Sequence, residues 1–116
     1  QVEQVFINIL INAVDAIHTR PEVAGRMRDG AITVVTRIAD ENLIVEIQDN
    51  GKGISEDARP KIFEPFYTTK KVGEGTGLGL WVSYGIIRSF QGTIEVDSEE
   101  GKGTKFTILL PMHPEL

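Results

Sequence analysis

A chain of 116 residues and 12.8 kDa has room for one domain with one buried core, and none for two independent catalytic domains. Hydrophobic residues at 41%, charged residues at 25% and 12 glycines describe a globular sequence and exclude a disordered tail or a collagen-like repeat. A net charge of −5 argues against non-specific binding to nucleic acid or anionic membrane, and zero cysteines remove disulfides, thiolate zinc sites and a cysteine nucleophile.

In chain order, Val2, Val5, Phe6, Ile9, Ala13, Ala16 and Ile17 recur at three- and four-residue steps, which predicts an amphipathic helix over about 2–20. Its pattern is already under way at the first residues, which leads us to expect an excised fragment, from which any sensor or membrane portion would be missing. Pro21 and Gly25 end the helix, and a polar loop runs on through Asp29 and Gly30. Ala31 to Ile38 and Leu43 to Ile47 read as an antiparallel hairpin around Asp40-Glu41-Asn42. Asn50-Gly51 is a strong hairpin dipeptide, yet no alternating run follows it. Ser55, with Glu56 and Asp57 behind it, reads as the N-cap and acidic first turn of a short helix. A glycine-rich loop over Tyr67 to Gly79 leads into a helix from about Leu78 to Phe90. Thr93 to Asp97 and Lys105 to Leu110 form strands around the turn at 99–103, closed by Pro111. The expected fold is an α/β (α+β) two-layer sandwich, a mixed, mostly antiparallel sheet with helices on one face.

Glycine turns beside lysines suggest phosphate binding, but neither common motif is present. Both Gly-Lys pairs, at 51–52 and 101–102, are followed by Gly where a P-loop needs Ser or Thr. Every Gly-x-Gly lacks the third glycine of the dinucleotide fingerprint. What remains is a different constellation. Asn8, Asn12 and Asp15 project from one stripe of the first helix, and an asparagine oxygen suits a hard cation such as Mg²⁺ shared with phosphates. The same asparagines could instead line a solvated face. Asp49, at a strand end and followed by Gly51 and Gly53, offers a carboxylate to a donor such as the adenine amine, with glycines that let backbone approach a ligand. An Asx-turn would use the same aspartate differently. Phe63 and Phe66 pin the base of the following loop, and Gly73 to Leu80 (GEGTGLGL) would aim backbone amides at an anion from a helix N-terminus.

Together these blocks resemble the ATP-binding catalytic domain of bacterial sensor histidine kinases, in the superfamily that also holds gyrase, the heat-shock-90 chaperones and the mismatch-repair ATPases. QVFINILINAVDA looks like the N box, DNGKGI the first glycine box, IFEPFYTTK the F box, GEGTGLGL the second glycine box and GKGTKF the terminal block. The wording FEPFYTTK is similar to nitrogen-regulation and sporulation kinases.

The resemblance implies a Bergerat-type fold with a mobile ATP lid, and ATP with Mg²⁺ as cofactors. It implies Asn12 as metal ligand, Asn8 acting on the metal and γ-phosphate through water, and Asp49 accepting from adenine. Gly51 and Gly53 would admit the base, Gly75, Gly77 and Gly79 with the amides around Leu78 would hold the phosphates, Thr104 would reach adenine through water, and Lys70 would meet phosphate. Asp15, Ile54, Phe66, Thr76 and Leu80 complete the implied nucleotide site. ATP-hydrolysing relatives carry a glutamate four residues before the metal asparagine; Asn8 stands there and cannot act as a base, so transfer to a histidine is expected rather than hydrolysis. Neither His18 nor His113 has the setting of the acceptor, which is expected on an upstream dimerisation domain. The implied partners are that domain and the receiver domain of a response regulator. The complete protein is expected to be a homodimer, with this domain in the cytoplasm and touching neither nucleic acid nor membrane. Two rivals share the fold: an anti-sigma-type serine kinase, and a nucleotide-sensing module without transfer chemistry.

Overall fold

The computed structural model describes residues 1–19, 29–65 and 79–112. Helix α1 (Val2–His18) is followed by strands β1 (Ile32–Ala39) and β2 (Asn42–Asp49), then helix α2 (Gly79–Ser89) and strands β3 (Thr93–Glu99) and β4 (Gly103–Pro111). The sheet order is β1-β2-β4-β3, and all three pairings are antiparallel. The sheet is therefore antiparallel throughout the described residues, where a mixed, mostly antiparallel sheet was expected.

Several boundaries differ from the sequence reading for local reasons. Helix α1 stops at His18, where Thr19 leaves helical geometry and its N–H and hydroxyl both return to the Asp15 carbonyl. The first hairpin turns on two residues, Asp40 and Glu41, both at positive φ, so Asn42 already belongs to β2. The expected short α-helix after Ser55 is a turn, with the Ala58 N–H donating to Ser55 Oγ at 3.1 Å, followed by one 3₁₀ turn at Arg59–Lys61. Pro111 is the last residue of β4, opposite Asn42, rather than a stop beyond it.

Both helices lie on one face of the sheet. Val5, Ile9 and Ala13 of α1 and Ile87 of α2 meet Val45, Ile47, Ile94, Phe106 and Ile108, and Ile62 closes the end of this core. Ile9, Ile87 and Ile108 are fully buried, and each such side chain stabilises the fold by roughly 1.5–3 kcal/mol. Helix α1 packs on β2, β4 and α2, which leaves the helix-side residues Ile32, Val34 and Ile38 of edge strand β1 exposed. No helix among the described residues is long and apolar enough to cross a membrane.

Candidate functional site

Packing α1 through Val5, Ile9 and Ala13 turns Asn8, Asn12 and Asp15 onto its flank, where all three are half-buried. The two asparagines are held differently. Asn8 Nδ2 donates to the Gly79 carbonyl (3.2 Å) and to Ser83 Oγ (3.1 Å), while its Oδ1 accepts from Gln4 Nε2 (2.8 Å). Asn12 makes no side-chain hydrogen bond to any described residue. A half-buried amide without a partner is costly unless a ligand or water satisfies it. Among the described residues no three His, Asp or Glu side chains form a ready metal cage, so a cation there would bring most of its oxygen ligands with it.

A second centre forms where β2 ends. Asp49 is 6% exposed, and its Oδ1 accepts the Gly51 N–H at 2.8 Å. This is the Asx-turn that the sequence also allowed. Burial pushes the Asp49 carboxyl above the usual aspartate range, while the N–H groups of Gly51 and Thr104 pull it back. Thr104, which faces Asp49 across the β2–β4 pair, is also buried. Its hydroxyl lies 2.8 Å from Ser98 Oγ, which donates to the Gly103 carbonyl and accepts the Ile54 N–H. With the Ser98 proton on Gly103, Thr104 donates to Ser98 and keeps its own lone pairs for another donor.

The glycines also serve the fold itself. A Cβ on Gly51 would lie 2.6 Å from the backbone and Cβ of Ala16, and the next residue's N–H donates to the Ala16 carbonyl. Gly53, at φ +76°, would collide with the Glu99 carbonyl, and the neighbouring Lys52 carbonyl accepts from Gly101. The close approach these glycines permit within the chain is to α1 and to the β3–β4 turn. Ile54 is half-buried beside them. At the start of α2, Gly79 gives its carbonyl to Asn8 and Ser83, and the partly buried Leu80 side chain packs against the core. Phe66, Lys70, Gly75, Thr76, Gly77 and Leu78, with the expected lid and His113, lie outside the described residues; His18 is exposed. Gln4, Ser83 and Ser98 escaped the sequence reading. Ser98 left a signal, a polar residue at the inward position of a strand whose Ile94 and Val96 also point inward.

Residues 1–114 match the family model described as histidine kinase-, DNA gyrase B- and HSP90-like ATPase. The chain is 44% identical over 117 residues to the sensor kinase CckA of Brucella abortus, covering 96% of this chain and 12% of that protein. It is 46% identical over 114 residues to sporulation kinase E of Bacillus subtilis, covering 97% of this chain and 14% of that protein. Among solved structures, the catalytic domain of the histidine kinase ThkA superposes with a TM-score of 0.77 at 32% identity, covering 97% of this chain and 67% of that one. Full-length ShkA in complex with AMPPNP superposes with the same TM-score of 0.77 at 26% identity, covering 97% of this chain and 21% of that one. With the boxes in order, an α+β fold matching histidine kinase catalytic domains and a polar helix flank beside a buried strand-end aspartate, the chain belongs to the histidine kinase-, gyrase B- and HSP90-like ATPase family.

Proposed function

We propose that this domain binds Mg²⁺–ATP and hands the γ-phosphoryl group to a histidine on the dimerisation domain of the same homodimeric sensor kinase, for relay to an aspartate of a response-regulator receiver domain. Asp49 carries the reading: a buried carboxylate at the rim of the sheet, already oriented by backbone N–H groups, is matched to the amine edge of a purine. Thr104 offers lone pairs to a water on the same base. Asn12 and the Oδ1 of Asn8 supply neutral oxygens on the α1 flank, and the metal, when bound, supplies charge neutralisation on the phosphates. Asn8 carries no carboxylate to deprotonate water, and its amide nitrogen is committed to α2, which favours transfer to an incoming imidazole over hydrolysis. In the transfer a histidine nitrogen forms the new bond to the γ-phosphorus, and the bond to the ADP oxygen breaks. The relatives' names support the kinase assignment, and the neighbour in complex with AMPPNP supports the nucleotide. A cytoplasmic location follows from this role.

The test mixes the chain with the purified dimerisation domain of its parent kinase and γ-labelled ATP. Acid-labile, base-stable label on that domain, lost when its histidine is replaced, is the expected result. ATP binding without any labelled histidine would leave a nucleotide-sensing module, and label on serine would indicate a switch kinase.

A further inference from the structure

Ser83 is fully buried on the apolar face of α2, and nothing in the function proposed above uses it. A hydroxyl at such a position is costly unless both its proton and its lone pairs are satisfied. Here they are: Ser83 Oγ donates to the Gly79 carbonyl at 2.8 Å and accepts from Asn8 Nδ2 at 3.1 Å. We propose that Ser83 is a positioning residue that fixes which end of the Asn8 amide faces the nucleotide.

An asparagine amide has a donor end and an acceptor end of nearly the same shape, so its chemistry depends on which way it is turned. The Gly79 carbonyl can only accept. Ser83, with its proton spent on that carbonyl, also presents only a lone pair to Asn8. Both acceptors converge on Nδ2; a turned amide would set Oδ1 against the Gly79 carbonyl, and Ser83 could meet it only by withdrawing its proton from that carbonyl. Oδ1 is thereby held on the opposite side, where Gln4 Nε2 reaches it at 2.8 Å and one lone pair remains. An oxygen so presented accepts from a water bound to a cation; it repels a phosphate oxygen. The inference rests on the Mg²⁺–ATP reading and sharpens it: Asn8 serves the metal's hydration shell and makes no direct phosphate contact. Because Gly79 opens α2, the same three-way contact ties the first turn of that helix to α1.

Calorimetry of ATP binding to the 116-residue chain, once with Mg²⁺ and once with excess EDTA, tests this on Ser83→Ala and Ser83→Thr. The alanine variant should weaken Mg²⁺–ATP by about three- to tenfold, the worth of one hydrogen bond, and leave metal-free ATP within about twofold. Threonine, which keeps the hydroxyl, should restore the Mg²⁺ effect. In nucleotide-free protein the Asn8 side-chain NH₂ resonances should shift on Ser83→Ala and return on Ser83→Thr. Equal weakening with and without metal, or unmoved Asn8 resonances in folded Ser83→Ala, would make Ser83 a packing residue and overturn the proposal. Absence of ATP uptake by the unaltered chain would overturn the nucleotide reading itself, and with it this role. That outcome stays distinguishable because the nucleotide-free resonances report the Asn8 tether independently.

Discussion

The two ends of the polar flank of α1 are built differently. At the C-terminal end, around Ala16, the loop after β2 is pressed between α1 and the β3–β4 turn, and the Asp49 carboxylate is already bonded by its own chain. At the Asn8 and Asn12 end, one amide is tethered to α2 with its oxygen turned outward, and the other has no partner among the described residues. The first end is closed by contacts within the chain, which suits the rigid base that the proposed function places there. In the proposed function the second is completed by the metal and phosphates.

The largest effect should come from breaking the finished end. Gly53→Ala combines a left-handed backbone with a collision against the Glu99 carbonyl, and should cost about 2–4 kcal/mol in urea unfolding. Gly101→Ala is the control. Its φ is +86° but nothing stands within 4 Å of the new Cβ, so only the backbone cost of about 1–2 kcal/mol should appear. Equal losses at the two sites would mean that the loop yields readily and that the base end is not preset.

Removal of the proposed base contact comes next. Asp49→Ala should weaken ATP about ten- to a hundredfold by calorimetry, with the same factor in Mg²⁺ and in EDTA, because the contact lies at the base end. Asn12→Ala should do the reverse: the gain in affinity on adding Mg²⁺ collapses, while unfolding free energy stays within about 0.5 kcal/mol, since the amide bonds no described residue. Asn8→Ala should lose about 1–2 kcal/mol of stability as well, because it leaves the Gly79 carbonyl and Ser83 with one partner fewer. An Asn12→Ala variant as unstable as Asn8→Ala would erase the distinction between the two asparagines.

Much of this was legible in the sequence because it depends on near neighbours. The three- and four-residue steps of Val5, Ile9 and Ala13 place Asn8 and Asn12 together without any tertiary information, and Asp49 sits at a strand end by alternation alone. The roles of Gly51 and Gly53 were not legible. A glycine reveals that something comes close, but not what, and the chain segments that come close here, at Ala16 and Glu99, lie far away in sequence. Ser83 was hidden for the same reason: its hydroxyl gains a second partner only once α1 and α2 pack. The expected lid and its lysine lie outside the described residues.

The smallest expected effect is a pH dependence, and its sign tests how finished the base end is. Burial holds the Asp49 carboxyl above its ordinary value of 3.8, outweighing the N–H groups of Gly51 and Thr104. Between 3.8 and the higher native value, the folded chain keeps a proton that the unfolded chain has released. Stability contributed by this group is therefore full below that window, falls as pH rises through it, and is level above. Asp49→Asn keeps an oxygen for the Gly51 N–H but cannot ionise, so unaltered protein should lose stability relative to this variant as pH climbs past 3.8 in a series of urea titrations. Binding runs the opposite way. In the proposed function the ionised form accepts the purine amine, so ATP affinity should fall on acidification, starting at a higher pH than an ordinary aspartate would set. A relative stability that instead rose with pH would show the N–H donors outweighing burial, and the recess would then be shaped for an anion before any base enters it.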